Sequence, residues 1–146
     1  MPVSTEPITF RLLVTGWRSW PREADWVIHR QLELARWALV GPRNRMIVVD
    51  GECPRGGVDL YAHEWALEFI GPEGSERHPA PWREMGNAAG PQRNQFMVDL
   101  GADICFAFPG PVTPGKKGGT RDCIERAEKA GIPVQVFPWK DLYLAG

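Results

Sequence analysis

The sequence has little of what marks a metal-binding, disulfide-bonded or membrane protein. It has three cysteines, Cys53, Cys105 and Cys123, and no CxxC pair, so neither a zinc knuckle nor a disulfide framework is predicted. Its three histidines show no metal-ligand spacing, and we predict no metal and no cofactor. No apolar run reaches membrane-spanning length, and no basic N-terminal stretch precedes an apolar one. We therefore expect a cytoplasmic protein with reduced thiols and no membrane partner.

The chain also lacks a large net charge of either sign. The formal net charge is -1 at pH 7, which counts against a broadly basic surface for nucleic acid. The 16 glycines and 14 prolines cluster between periodic segments, where they mark turns. With 146 residues, 43% of them hydrophobic, one sizeable core is expected. We predict a flexible tail over residues 1–7 and a single domain over residues 8–146.

The rest of the sequence alternates short apolar runs with amphipathic segments. The apolar runs predict strands at 8–15, 46–50, 103–108 and 134–137. A short strand is also predicted at 76–80, where Pro79 and Pro81 indicate an edge position. The amphipathic segments predict helices at about 21–39, 58–69, 91–100 and 120–130. This order predicts an α/β protein, a Rossmann-like three-layer sandwich with a mostly parallel central sheet of about five strands.

In such a sheet, ligands bind beyond the carboxyl ends of the strands, where the strand order reverses. The loop before the fourth helix ends in Gly118, Gly119 and Thr120, which places a glycine-rich turn at a helix N-terminus. Free backbone N–H groups and the helix dipole favour a phosphate there. The spacing of 110–117 is similar to a Walker A loop, but Lys117 replaces its Ser/Thr and two prolines remove amide donors, so we reject a P-loop.

Other loops at this edge contribute further candidate residues. Gly56 and Gly57 precede the second helix and fit either ligand approach or a plain turn. Asp59 fits helix capping as well as ligand contact. Arg93 is predicted in the first turn of the third helix, where a positive charge is unfavourable because of the helix dipole. This position is better explained by an anionic partner than by a surface arginine that packs over apolar neighbours. Trp17 is placed to stack on a base, whereas most other tryptophans are expected to pack in the core or an interface.

Four segments together, 13–20, 56–59, 89–94 and 118–122, resemble the SLOG superfamily, and most closely its circularly permuted YpsA-related, YspA-like branch. The resemblance extends over about residues 10–137. It implies a Rossmann-like domain that binds a nucleotide or a nucleotide-derived ligand. The superfamily also includes LONELY GUY phosphoribohydrolases and DprA DNA-processing proteins, and its members are often dimers.

The phosphoribohydrolases carry an Arg-Lys pair on a helix, followed by Pro-Gly-Gly-x-Gly-Thr-x-x-Glu. The resemblance matches Arg93 to that arginine, but Asn94 replaces the lysine and Cys123 stands where the glutamate should be. A thiol does not replace the carboxylate that stabilises positive charge on a ribose during glycosidic cleavage. Asp122, one residue earlier, is the substitute carboxylate we name, with Asp59 as the other.

Three hypotheses follow. The first is a binding or sensor domain for a nucleotide derivative, in which Arg93 and the glycine turn hold phosphate. The second is a nucleotide N-glycosidic hydrolase with Arg93 and Asp122 as catalytic residues. The third is a DNA-associated, DprA-like protein, and the lack of a basic stripe counts against it. A homodimer stays open. The predicted ligand-binding residues are Gly16, Trp17, Arg18, Gly56, Gly57, Asp59, Arg93, Asn94, Pro109, Gly110, Gly118, Gly119 and Thr120.

Overall fold

A computed structural model describes residues 6–112 and 114–139 of the chain. Within these residues, five strands form one all-parallel sheet in the order β3-β2-β1-β4-β5. The strands are β1 (Thr9–Gly16), β2 (Arg45–Asp50), β3 (Ser75–Arg77), β4 (Ile104–Phe108) and β5 (Val134–Val136). This confirms the predicted α/β, Rossmann-like architecture and the edge position of the third strand.

Helices cover both faces of the sheet. They are α1 (Asp25–Ala35), α2 (Val58–Phe69), α3 (Trp82–Met85), α4 (Ala89–Leu100) and α5 (Gly118–Lys129). A π-helical turn at Arg36–Val40 continues α1, and 3-10 turns lie at Arg22–Ala24, Pro72–Gly74 and Gly86–Ala88. The four predicted helices are present, whereas the single turn α3 is too short to show a helical period in the sequence.

Alternation along β1 explains why the sheet needs helices on both faces. Leu12 and Val14 point to one face, where they pack in a core with residues of α1 and α2. Leu13 points to the other face and packs with residues of α4 and α5. Because successive strand side chains face opposite sides, the three consecutive apolar residues of β1 must be covered on both faces of the sheet. The result is the three-layer arrangement.

The strand order reverses between β1 and β4. Their last residues, Gly16 and Phe108, are register partners, so both strands end at the same level. The loops that follow them, together with the loop after β2, meet at this carboxyl edge. Of the predicted tail, 1–7, only Glu6 and Pro7 are among the described residues. The predicted end of the domain, 140–146, lies outside them.

Gly57 joins the loop after β2 to α2 in a backbone conformation that requires glycine. Its φ of 66° and ψ of -144° belong to a region that residues with a Cβ avoid. A Cβ there would also lie 2.5 Å from backbone atoms of Arg18. Since a backbone neighbour cannot rotate aside, Gly57 allows the loop after β1 to lie directly against the start of α2.

Gly57→Ala is expected to cost about 2 kcal/mol more in free energy of unfolding than Gly101→Ala, because strain and a backbone clash act together. Gly101 is the matched control, since its φ is 87° but a Cβ there would meet open space. Urea denaturation of the two variants measures the difference. Equal losses would mean that the Arg18 backbone moves away easily.

Candidate functional site

The carboxyl edge around β1 is built by two loops and the start of α2. The Trp17 N–H donates to the carbonyl of Phe108 at 3.0 Å, and the Val58 N–H donates to the carbonyl of Trp17 at 3.2 Å. Trp17 is half-buried and packs edge-on against Trp139, with ring centroids 5.7 Å apart. Arg18 is exposed beside it. Trp17 thus lies at the carboxyl edge of the sheet, with part of its ring covered by other residues of the chain.

Most glycines of this edge serve contacts within the chain. A Cβ on Gly16 would lie 2.6 Å from the side chain of Val58, and one on Gly110 would clash with the indole ring of Trp17. Gly56 has a φ of 85°, as in a tight turn. Pro109 follows β4 and accepts a hydrogen bond at its carbonyl from Trp139 N–H, at 3.1 Å. These glycines therefore have a packing reason that does not require a ligand.

Gly118 and Gly119 differ from those glycines. Both are exposed, and a Cβ on either one would meet open space. Gly118 has a φ of 71°, which itself favours glycine, whereas Gly119 has neither a positive φ nor a close neighbour that requires glycine. Within the part of the chain that the structure describes, no side chain caps the N-terminus of α5, and its first turn contains no acidic residue. The first N–H groups of α5 are consequently open to solvent at the positive end of the helix dipole.

Asn94 connects α4 to this helix start. Its buried side chain donates to the carbonyl of Gly119 at 3.2 Å and to Asp122 Oδ2 at 3.0 Å. The Arg93 Nε in turn donates to Asn94 Oδ1 at 2.9 Å. Arg93 therefore lies on the same edge as Gly119 and is linked to it through one side chain.

The prediction that Arg93 lies in the first turn of its helix is wrong. α4 begins at Ala89, so Arg93 is its fifth residue, and the argument from the helix dipole does not apply. Its Nη1 donates instead to the carbonyls of Gly51 and His78, the latter at 3.3 Å. Gly51 has no side chain where the guanidinium lies. Arg93 is thus fixed by backbone carbonyls at the end of β2 and after β3.

Asp122 is engaged within the protein. It is buried and accepts hydrogen bonds from Asn94 and from Arg126 Nε, the second at 2.8 Å, and Lys117 Nζ lies 3.5 Å away. Burial opposes its ionisation, but the hydrogen bonds from Arg126 and Asn94 outweigh burial and hold its pKa below the usual value. Because Asn94, Arg126 and Lys117 already surround this carboxylate, its contacts favour a structural role between α4 and α5.

Asp50 and Arg77 form a buried pair that the sequence analysis missed. Asp50 ends β2 and is fully buried; Arg77 Nε donates to both of its oxygens, at 3.1 and 3.2 Å. The Glu52 N–H donates to the same carboxylate at 2.6 Å. Burial raises the pKa of Asp50, and Arg77 opposes the rise. The sequence feature that could have indicated Asp50 is an aspartate at the end of an apolar strand, at the edge of the sheet where ligands bind.

Asp59 is a second buried carboxylate near the first. Its Oδ2 accepts the Cys53 N–H at 3.2 Å. Burial, and then the charge of Asp50, raise its pKa to about 7, while the charge of Arg93 acts in the opposite direction. A carboxyl group with such a pKa, beside a cation at a sheet edge, is typical of functional sites. Of the predicted site residues, Asp59 has the most strongly shifted pKa.

Cys123, at the position of the glutamate in the phosphoribohydrolase motif, is fully buried. A hydrogen bond with Cys105 lowers its pKa against the effect of burial, and a hydrogen bond with Thr15 acts in the same direction. These contacts fix the thiol between α5 and the sheet. It packs there as a small core residue and does not reach a ligand at the edge.

Two cavities lie at opposite ends of the sheet. One, of about 300 Å³, opens beside the start of α5 and is lined by three cations among other residues. A larger one, of about 590 Å³, lies at the amino ends of β1 and β2, away from the predicted site. The cations of the smaller cavity are Lys116, Lys117 and Arg121. Glu125 also lines this cavity, 2.6 Å from Lys117 Nζ and 3.3 Å from Arg121 Nε, so part of this positive charge is already paired within the chain. Three cations and one carboxylate still leave the smaller cavity with an excess of positive charge next to the open N–H groups.

The described residues contain no group of three or more His, Cys, Asp or Glu side chains able to hold a metal ion. None of the helices in 6–112 and 114–139 has the length and apolarity needed to cross a membrane.

The fold and this edge define a Rossmann-like α/β protein with a polar, partly buried site at the carboxyl ends of its strands. No family model matches the chain. The chain is 40% identical over 133 residues to the Gene 61 protein of Mycobacterium phage D29, an alignment that covers 87% of this chain and 95% of the phage protein. The chain belongs to the family of this phage protein.

Proposed function

We propose that this protein binds a nucleotide or a nucleotide-derived ligand at the carboxyl edge of its sheet, as a binding or sensor domain of the SLOG superfamily, YspA-like branch. The observation that carries the proposal is the open start of α5, where Gly118 and Gly119 have free space and no side-chain cap. This start lies beside the reversal of strand order, where α/β proteins bind their ligands.

Phosphate is the group that fits this helix start. Backbone N–H groups and the helix dipole attract an anion, and Lys116 adds charge nearby. Lys117 and Arg121 also line this place, where both pair with Glu125. Asn94 fixes the position of Gly119 through its carbonyl. A phosphate bound there would meet an organised turn, which lowers the entropic cost of binding.

A charge placed at the helix start tests the proposal. In Gly119→Asp, the new side chain has room, and an acid in a first helical turn stabilises the helix, but it repels phosphate. We expect at least tenfold weaker binding of nucleoside 5′-monophosphates by isothermal titration calorimetry, with an unchanged or higher Tm. Gly119→Asn, of similar size and uncharged, is the control and should lose much less affinity. Equal losses would exclude a role for the helix start in binding an anion.

A second function is supported by Asp59. A buried carboxyl group with a pKa of about 7 is suited to proton transfer near neutral pH, so the nucleotide N-glycosidic hydrolase hypothesis is better served by Asp59 than by Asp122. Release of free base when the protein is incubated with nucleoside 5′-monophosphates, abolished by Asp59→Asn, would favour the hydrolase. A thermal shift without base release would favour the sensor. Salt-sensitive retention of single-stranded DNA would revive the DprA-like hypothesis.

We also propose a homodimer in the cytoplasm. Trp26 and Trp37 are exposed by 40% and 55% and lie about three helical turns apart along α1 and its continuation. Large exposed aromatic residues on one face are typical of interfaces between subunits. Light scattering coupled to size-exclusion chromatography distinguishes a dimer from a monomer.

A further inference from the structure

The larger cavity, of about 590 Å³, lies at the amino ends of β1 and β2, at the opposite end of the sheet from the start of α5. Protein cavities that bind small molecules have volumes of roughly 300–1,000 Å³. Both apolar and charged side chains line this one, and none of the predicted ligand-binding residues does. The cavity is therefore a separate place on the molecule, with the size of a small-molecule site.

Hydrogen bonds fix the wall of this cavity that joins α1 to β2. The Gly41 N–H donates to the carbonyl of Arg36, five residues earlier, at 2.9 Å, and this bond closes the π-helical turn. The Asn44 side chain donates to the carbonyl of Val40 at 2.7 Å and accepts the Ile8 N–H at 3.1 Å. π-Helical turns are rare and lie frequently at functional sites. A ligand would meet an organised wall, which lowers the entropic cost of binding.

Part of the lining is apolar. Met46 is buried, and Ile47 and Ile70 are half-buried. Trp37, on the π-helical turn, is 55% exposed, so much of its indole ring is free to contact a ligand. Aromatic rings pack favourably against one another in offset or edge-on arrangements. An aromatic group in the cavity would therefore remove both its own apolar surface and that of Trp37 from water.

Two arginines and one glutamate give the cavity its charge. Arg36 Nη1 donates to the carbonyl of Phe69 at 2.6 Å, and its guanidinium carbon lies 5.3 Å from the centre of the Trp37 ring. Among the described residues, none of Arg36, Arg45 and Glu73 takes part in an ion pair. Two cations and one carboxylate leave one positive charge. Since a guanidinium binds a carboxylate through two parallel hydrogen bonds, this charge suits a single carboxylate group.

We propose that this cavity binds a small aromatic acid that carries one carboxylate. The carboxylate lies at Arg45, and the aromatic body packs against Trp37 and Ile70. A phosphate monoester fits less well, because its second negative charge would stay uncompensated near Glu73. This acid site goes beyond the proposed function, and neither site needs the other.

Calorimetry with three probes that share one ring system tests the preference for a carboxylate. We expect 2-naphthoate to bind the wild-type protein at least about tenfold more tightly than 2-naphthylmethanol or 2-naphthyl phosphate, because hydrogen bonds between charged groups are the stronger ones. Arg45→Gln should reduce the preference over the alcohol to less than about threefold. Arg43→Gln changes an exposed arginine outside the lining and should keep it. Equal affinities for the three probes, a preference that persists in Arg45→Gln, or no binding of 2-naphthoate would overturn the proposal.

Trp37→Ala tests the apolar part of the site. It should weaken the binding of 2-naphthoate and of 2-naphthylmethanol by similar factors, because both probes lose the same apolar contact. Trp26→Ala is the matched control, since Trp26 is an exposed tryptophan of α1 that belongs to the proposed dimer face but not to the cavity lining. Equal losses in the two variants would assign the effect to the dimer and overturn the cavity site.

Gly119→Asp separates this site from the proposed nucleotide site. The substitution lies at the start of α5, outside the lining of the larger cavity, so it should leave the affinity for 2-naphthoate unchanged. Failure of nucleotides to bind would leave the acid site standing, and failure of 2-naphthoate to bind would leave the proposed function standing. A loss of 2-naphthoate binding in Gly119→Asp would show that the probe binds at the carboxyl edge, and would overturn the acid site.

Discussion

Replacement of Arg77 by alanine is expected to lower the free energy of unfolding by about 3–5 kcal/mol at pH 7, because it leaves the carboxylate of Asp50 buried without its cation. Asp50 is fully buried and Arg77 donates to both of its oxygens. Burial already raises the pKa of Asp50 despite this partner. Without the guanidinium, the pKa must rise further, so the folded protein binds a proton more readily than the unfolded chain.

The pH dependence identifies the mechanism. Once Asp50 is protonated it no longer needs a cation, so the deficit of Arg77→Ala relative to the wild type should shrink as the pH falls. Urea denaturation at pH 7 and pH 5 measures this change. A deficit that stays constant would mean that Arg77 acts through packing alone.

Two further variants separate charge from packing. Asp50→Asn combined with Arg77→Ala should recover a large part of the lost stability, because the uncompensated charge is gone. Arg22→Ala, which removes an exposed pair with Glu64, should cost less than about 1 kcal/mol. A loss as large as that of Arg77→Ala would contradict the importance of burial.

The fold could be predicted because its signals are local. The apolar runs of β1, β2 and β4 and the periodic stripes of α1, α2 and α5 each lie within one short segment, and each one suits a single kind of element. The alternation of these elements then favours a parallel sheet with helices on both faces. Even β3, only three residues long, was predictable as an edge because prolines follow it closely.

The site could be predicted only in part, because its contacts join distant segments. Asp50 and Arg77 are 27 residues apart, and Arg93 meets Gly51 across 42 residues. No local pattern shows such a pairing. The start of α4 was misplaced for a related reason: no capping side chain marks it, so only Pro91 suggested a first turn. The role of Arg93 therefore required the fold.

The glycine pairs that precede α2 and α5 also show what the sequence alone does not distinguish. The sequence shows two glycine pairs before two helices and gives both the same interpretation. In the structure, Gly57 lies against the backbone of Arg18, whereas Gly118 and Gly119 face open space. Backbone conformation and close packing explain the first pair without a ligand, and a φ of 71° explains Gly118 in the same way. Gly119, which has neither constraint, is therefore the glycine that favours a binding role.

Asp59→Asn is expected to raise the free energy of unfolding by about 2–4 kcal/mol at pH 8, which follows from a pKa raised from its ordinary 3.8 to about 7. A raised carboxyl pKa means that the folded protein favours the protonated form, so the wild type loses stability as the pH rises from about 4 to 7. The gain in the variant should therefore be small at pH 4 and full above pH 7. Asp50, Arg77, Arg93 and the Cys53 N–H face this carboxyl group, and the asparagine oxygen can still accept from Cys53.

Thermal and urea denaturation between pH 4 and pH 8 measure this gain, with Asp99→Asn as a control expected to change stability by less than about 0.5 kcal/mol. A loss of stability at pH 8 would show that the Asp59 charge is well compensated in the fold. The expected gain has a functional meaning: a residue whose neutral analogue gives a more stable protein is not explained by folding. Paired with weaker nucleotide binding by the same variant, it would show that Asp59 serves the ligand at the expense of stability.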